Sequence, residues 1–93
     1  MRTVHKAKNK EDIFSLIDSM SVERVVDNQC KIELYNCNVS EICIGYYRNY
    51  LDEMGYSWSI ISKYPVLSVK YFDNIIAAKD DLKSYLSEID ITF

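Results

Sequence analysis

The sequence predicts a single α/β domain with elements in the order strand, helix, strand, helix, strand, strand, strand, helix. Three observations carry this expectation. Apolar residues recur at helical spacing after Asn9 and again towards the C-terminus, residues 30–35 alternate with period two, and turn-forming residues stand at Asp27, Asn28, Gly55, Asp73 and Asn74. A chain of 93 residues has room for one core, and 48% hydrophobic with 27% charged residues is enough to build it. Only two Gly, one Pro and no biased tract argue against disorder.

Residues 3–7 form a weak extended stretch. Asn9 is a suitable N-cap, with Glu11 and Asp12 in the first turn of a helix that runs to about Met20. Ile13, Leu16, Ile17 and Met20 fall at i, i+3, i+4 and i+7, a stripe that needs a covering layer. The clearest strand is 30–35, in which Cys30, Ile32 and Leu34 alternate inward with Lys31, Glu33 and Tyr35. Asn38 and Glu41 have the spacing of a capping box, which predicts a second helix carrying the stripe Val39, Cys43, Tyr46, Tyr47, Tyr50, Met54 and stopped by a left-handed Gly55. Residues 56–62 and 66–72 read as strands parted by Lys63, Tyr64 and Pro65. Asp73 and Asn74 are read as a hairpin turn into a third strand, 75–78, in preference to a helix beginning at Asp73 with the stripe Ile75, Ala78, Leu82, Tyr85, Ile89. The last helix is expected from Asp80, burying Leu82, Tyr85, Leu86 and Ile89. Residues 10–20 and 79–89 match in charge and apolar spacing, which short amphipathic helices reach by convergence, so they are read as two helices with similar roles rather than a duplication.

The net charge of −3 is unevenly placed. Arg2, Lys6, Lys8 and Lys10 make the first ten residues basic, and the remainder carries 7 basic against 14 acidic residues. An acidic body disfavours nucleic acid as the partner and leaves a basic arm whose replacement is expected to alter partner association and spare the fold. Most of the eight Tyr are expected at buried or rim positions. No apolar stretch is long enough to cross a membrane and no secretory signal precedes the domain, so the expected location is cytoplasmic. Three cysteines without paired spacing suit neither a disulfide framework nor zinc, and His5 has no ligand-spaced companions.

The element order, with a single proline opening the terminal strands, resembles the thioredoxin and glutaredoxin superfamily over nearly the whole chain. Residues 31–35, KIELY, resemble the central strand that ends at the family's active site, and Cys37-Asn38-Val39-Ser40 is similar to the Cys-x-x-Ser of single-cysteine glutaredoxins. Pro65 stands where the family has its cis-proline, and IAAKDDL at 76–82 resembles the Ile-Gly-Gly-x-Asp-Asp-Leu segment, with Ala77 and Ala78 replacing the glycines. The resemblance implies a three-layer thioredoxin-like fold with a central mixed sheet and flanking helices, lacking the helix before the cis-proline. It also implies a Tyr64–Pro65 bond that is cis and close to Cys37.

Two functions follow from that resemblance. In the preferred one the chain is a redox-inert thioredoxin-like module that binds a protein partner through an acidic, tyrosine-rich surface and needs no cofactor. An abundance of Ile, Asn, Lys and Tyr fits an AT-rich genome such as that of a virus or phage, where small inhibitors and adaptors of host proteins are common. In the alternative, Cys37 is the nucleophile of a glutaredoxin-type oxidoreductase, its thiolate favoured by a helix N-terminus. Ser40 would then replace the resolving thiol, Pro65 would complete the active site, and Tyr64, Asp80 and Asp81 would hold glutathione. Cys30 and Cys43 are expected to be shielded core residues, leaving Cys37 the most reactive thiol.

Overall fold

Residues 39–62 decide the architecture, because their apolar side chains fit either a helix stripe or a pair of strands. In the structure, a computed structural model that describes residues 7–68 and 70–93, they form two strands. The described chain runs α1 (Lys10–Ser19), β1 (Asn28–Glu33), β2 (Val39–Arg48), β3 (Met54–Ser62), β4 (Val66–Leu67) and α2 (Ile75–Glu88). The strands lie in the order β1-β2-β3-β4, every neighbouring pair antiparallel. The arm residues Arg2, His5 and Lys6, most of the stretch expected at 3–7, and Val69 within the expected strand 66–72 lie outside the described residues.

The expected second helix over 38–54 is therefore replaced by β2 and a turn. Val39, Ile42, Ile44, Tyr46 and Tyr47 are β-branched or aromatic and fit a pleated surface. Gly45 would cost a helix about 1 kcal/mol. As a strand, the segment sets Ile42, Ile44 and Tyr46 opposite Ile60, Trp58 and Tyr56. Between Val39 and Glu41 the register shifts by one residue, a bulge at Ser40 that lets Val39, 2% exposed, reach the core. Gly55, expected as a left-handed stop, lies within β3, and Asp52 (φ 66°) makes the left-handed turn instead.

The third expected strand, 75–78, is helical. Asn74 caps α2, its Oδ1 accepting from the Ala77 N–H at 2.8 Å, so the helix begins beside Asp73 and carries the stripe that the hairpin reading set aside. Asn74 thereby satisfies one of the N–H groups that the first turn of a helix leaves without an intrahelical partner. Residues Val66–Leu67 pair with β3, and Phe72 forms a single bridge to Tyr56. The three-layer thioredoxin-like architecture with a mixed sheet is thus corrected to two layers, an antiparallel meander with both helices on one face.

One core joins those layers. Ile13 and Ile17 of α1 meet Ile32 of β1, Ile42 and Ile44 of β2, Trp58 and Ile60 of β3, and Ala78, Leu82 and Leu86 of α2. Asn9 caps α1 by accepting from the Asp12 N–H at 2.9 Å. The start of α1 lies against the end of α2, where Lys10 Nζ donates to the Ile89 carbonyl at 3.0 Å. At its other end Asp18 accepts from Lys83 (2.7 Å, side chain) and Lys79 (2.9 Å, main chain). Lys10 is thus tied into the helix pair, not free in a basic arm. Trp58 Nε1 donates to Asp81 at 2.8 Å and its ring lies 5.3 Å from that of Tyr85, which fixes α2 on β3. The chain end is pinned by Asn38, which bonds Thr92 through its main-chain N–H and its Oδ1, and the Asp90 carbonyl through Nδ2.

Removing the Trp58 acceptor leaves a part-buried indole N–H without its partner, at about 1–3 kcal/mol. Asp81→Ala is expected to lower stability by that amount in urea unfolding followed by fluorescence of the single Trp, and Asp81→Asn, which keeps an acceptor oxygen, by clearly less. Equal losses in the two variants would show that the hydrogen bond contributes nothing.

Candidate functional site

The residues singled out for thiol chemistry are dispersed. Cys37 lies in the β1–β2 loop rather than at a helix N-terminus, partly buried, with Sγ 3.6 Å from Asn38 Oδ1. Ser40 occupies the bulge of β2, and its hydroxyl donates to the Ile61 carbonyl at 3.0 Å. Neither the helix dipole nor its free N–H groups stand behind Cys37, so the feature that would have favoured its thiolate is missing. The Tyr64–Pro65 bond is trans, since no peptide among the described residues is cis, and Pro65 links β3 to β4. Tyr64 is 75% exposed, with Lys63 Nζ 5.7 Å from its ring centre. Asp80 faces solvent on α2 at 3.9 Å from Lys83, whereas its neighbour Asp81 is occupied by Trp58. The helix start at Cys37 and the cis bond at Pro65 that the resemblance implied are thus not present among the described residues.

The sheet face turned away from the helices has its own packing. Tyr47 reaches back along β2 to lie over Gly45, where any Cβ would collide with its ring, so the aromatic covers a backbone that a larger residue would obstruct. Beneath it Cys43, 4% exposed, has Sγ 3.5 Å from Tyr47 Oη and 3.8 Å from Gln29 Oε1. Burial pushes the Cys43 thiol above its usual pKa and pushes the Tyr47 phenol higher still. Such a thiol is a poor nucleophile at neutral pH. Cys30, expected to be shielded, is partly exposed. No helix among the described residues is long and apolar enough to cross a membrane, and no group of three or more His, Cys, Asp or Glu among them could hold a metal ion.

The tyrosines are less buried than the pattern implied, for Tyr35, Tyr50, Tyr64 and Tyr71 are all exposed. Tyr50, expected on the buried stripe of a helix, stands with Leu51 at the tip of the β2–β3 hairpin, 94% and 61% exposed. Their turn is tightly held. Asn49 donates to the Glu53 carbonyl at 2.8 Å and its own carbonyl accepts from Asp52 at 3.1 Å. Its side-chain Oδ1 accepts from the N–H groups of Leu51 (2.9 Å) and Glu53 (3.0 Å). With Asp52 in the left-handed region, the loop 50–52 is a three-residue hairpin connection. Arg48 pairs with Asp52 across it at 3.2 Å. Tyr50, Leu51, Met54 and Tyr71 share one cavity wall with Glu53 and Asp73. The signal that could have located this site is the Asn49 and Asp52 pair, turn residues in the middle of an assigned helix.

The Cys43–Tyr47 pair gives the native state a pH signature. Above about pH 8.5 the unfolded chain loses a thiol proton that the native chain keeps, and above about pH 10 a phenol proton likewise. Native protein then binds more protons than unfolded protein, so stability is fully present below those values and falls as pH rises. The urea midpoint is expected to drop between pH 8 and pH 11, and to drop less steeply in Cys43→Ala and Tyr47→Phe; parallel slopes in wild type and both variants would refute the assignment. Comparison of the chain with family models, with curated proteins and with solved structures finds no match.

Proposed function

We propose that this chain is a protein-binding module, an inhibitor or adaptor rather than a catalyst, which docks through the tip of the β2–β3 hairpin. The observation that carries this reading is Tyr50, a large aromatic side chain 94% exposed on a turn whose backbone is held by four hydrogen bonds around Asn49. A flexible turn would average its backbone over many positions, whereas these bonds hold the backbone from which Tyr50 and Leu51 project. The backbone part of the ordering cost is then small when a partner closes over them, and burying two such side chains contributes about 1.5–3 kcal/mol each. Tyr is among the residues that dominate protein interfaces, and Met54 and Tyr71 extend the apolar surface beside it. Neither Tyr50 nor Leu51 belongs to the core, so the fold has no use for their exposure.

The double variant Tyr50→Ala with Leu51→Ser is expected to keep the wild-type circular dichroism and unfolding midpoint while losing the proteins that wild type retains from a cell extract. Tyr64→Ala, which removes an equally prominent tyrosine elsewhere, is expected to retain them. Retention of the same proteins by the double variant, or of none by wild type, would overturn the reading.

A further inference from the structure

At the other end of β2 from the hairpin tip, the segment that follows α2 is seated on the sheet. The chain leaves helical geometry at Ile89 (φ −110°, ψ 155°), and residues 90–93 run on without regular secondary structure. Ile89 and Ile91 pack against the core while Asp90 and Thr92 are exposed, the alternation of an extended segment lying on an apolar surface.

One residue holds that segment in place. Among the described residues, the hydrogen bonds that tie 90–92 to the sheet all run to Asn38. Its main-chain N–H donates to the Thr92 carbonyl at 3.0 Å, its Nδ2 donates to the Asp90 carbonyl at 2.8 Å, and its Oδ1 accepts from the Thr92 N–H at 2.9 Å. A single side-chain amide thus supplies both a donor and an acceptor, and every group it meets is main chain. Asn38 is exposed, so water competes for these bonds and each contributes modestly. Lys10 Nζ, donating to the Ile89 carbonyl at 3.0 Å, fixes the point from which the segment departs.

The bond between Asn38 and Asp90 also stands at a cavity of about 350 Å³, whose wall joins these two residues and Ile89 to Val39, Ile60 and Tyr85. Val39 and Ile60 are 2% and 1% exposed, so the most apolar part of that wall is shielded while the segment is seated. We propose that residues 90–93 are a strap that opens about Ile89 independently of the core, with Asn38 as its latch, and that opening bares Val39 and Ile60. Opening breaks three exposed hydrogen bonds and the packing of one partly buried isoleucine, Ile91, whereas parting β2 from β3 requires the whole core to come apart. The strap is a conformational device of the fold and acts whether or not the hairpin tip meets a partner.

Native-state hydrogen exchange of the ¹⁵N-labelled full chain tests the latch. The amides of Asn38 and Thr92 are expected to exchange at least roughly a hundredfold faster than those of 43–45 in the central strand β2. Asn38→Ala, which removes two of the three bonds, should speed exchange at Thr92 about tenfold further and leave 43–45 nearly unchanged, with Asn38→Asp, which keeps the acceptor oxygen, in between. Exchange at Asn38 and Thr92 as slow as at 43–45, or an acceleration shared by all of them in Asn38→Ala, would overturn the strap by showing that the segment opens only with the whole fold. The bared surface is read with the neutral nitroxide TEMPOL, which should relax the methyl protons of Val39 and Ile60 roughly twofold faster in Asn38→Ala than in wild type and leave those of Ile44 unchanged. Faster exchange at Thr92 with Val39 and Ile60 as shielded as in wild type would overturn the claim that the strap covers them.

Discussion

Ile44 lies opposite Trp58 and Ile42 opposite Ile60, and nearly everything else in the molecule is placed by that pairing of β2 with β3. A strand turns alternate residues to opposite faces, so fixing one register fixes both faces at once. The helix side of the two strands becomes the floor on which α1 and α2 pack, and Trp58, anchored to Asp81, sets where α2 lies. The other side receives Cys43, Gly45 and Tyr47. The same register brings Arg48 opposite Met54 and leaves Tyr50 and Leu51 no position except the turn. Their exposure is thus a consequence of pairing that is satisfied elsewhere.

Both terminal helices were legible because one-sided stripes and caps are local signals. Asn9 with Ile13, Leu16 and Ile17 located α1, and the face of Leu82, Tyr85, Leu86 and Ile89 located most of α2, whose first turn was lost to a hairpin reading of Asp73 and Asn74. Alternation also revealed the inward side of β1, and the body of β3 was read as a strand between Gly55 and Lys63. The failure at 39–54 has a physical source. The bulge at Ser40 changes the phase of β2, so Val39 and Ile42, three apart, both reach the core, and that is helical spacing produced by a strand. The alternation of Ile42, Ile44 and Tyr46 was present but interrupted by buried Cys43 and Gly45 on the open face, where Tyr47 supplies the cover. Once the segment was read as a helix, Asn38 looked like its cap, although its side chain holds the C-terminal segment.

The candidate site was illegible for the same reason. A tyrosine on an assigned helix stripe reads as core, and only the hairpin makes it a projection. Conversely, the thiol site drew on a helix behind Cys37 and a cis bond at Pro65, and the structure has a strand-to-strand loop at the first and a trans bond at the second. The two surfaces also differ in kind. Cys43 is held under Tyr47 with its proton favoured, a setting that suits packing, whereas the tip combines aromatic exposure with a rigid backbone and an adjacent acidic cavity.

The β2–β3 hairpin with its turn at 50–52 is the central claim, and nuclear Overhauser contacts across residues 39–62 test it most directly. The account predicts cross-strand contacts joining Ile44 to Trp58 and Tyr46 to Tyr56, strong sequential α-proton to amide contacts along 41–48, and an interruption at Asp52. A continuous run of sequential amide–amide contacts from 39 to 54, with contacts between residues three apart and none between Ile44 and Trp58, would contradict it and return Tyr50 to the face of a helix.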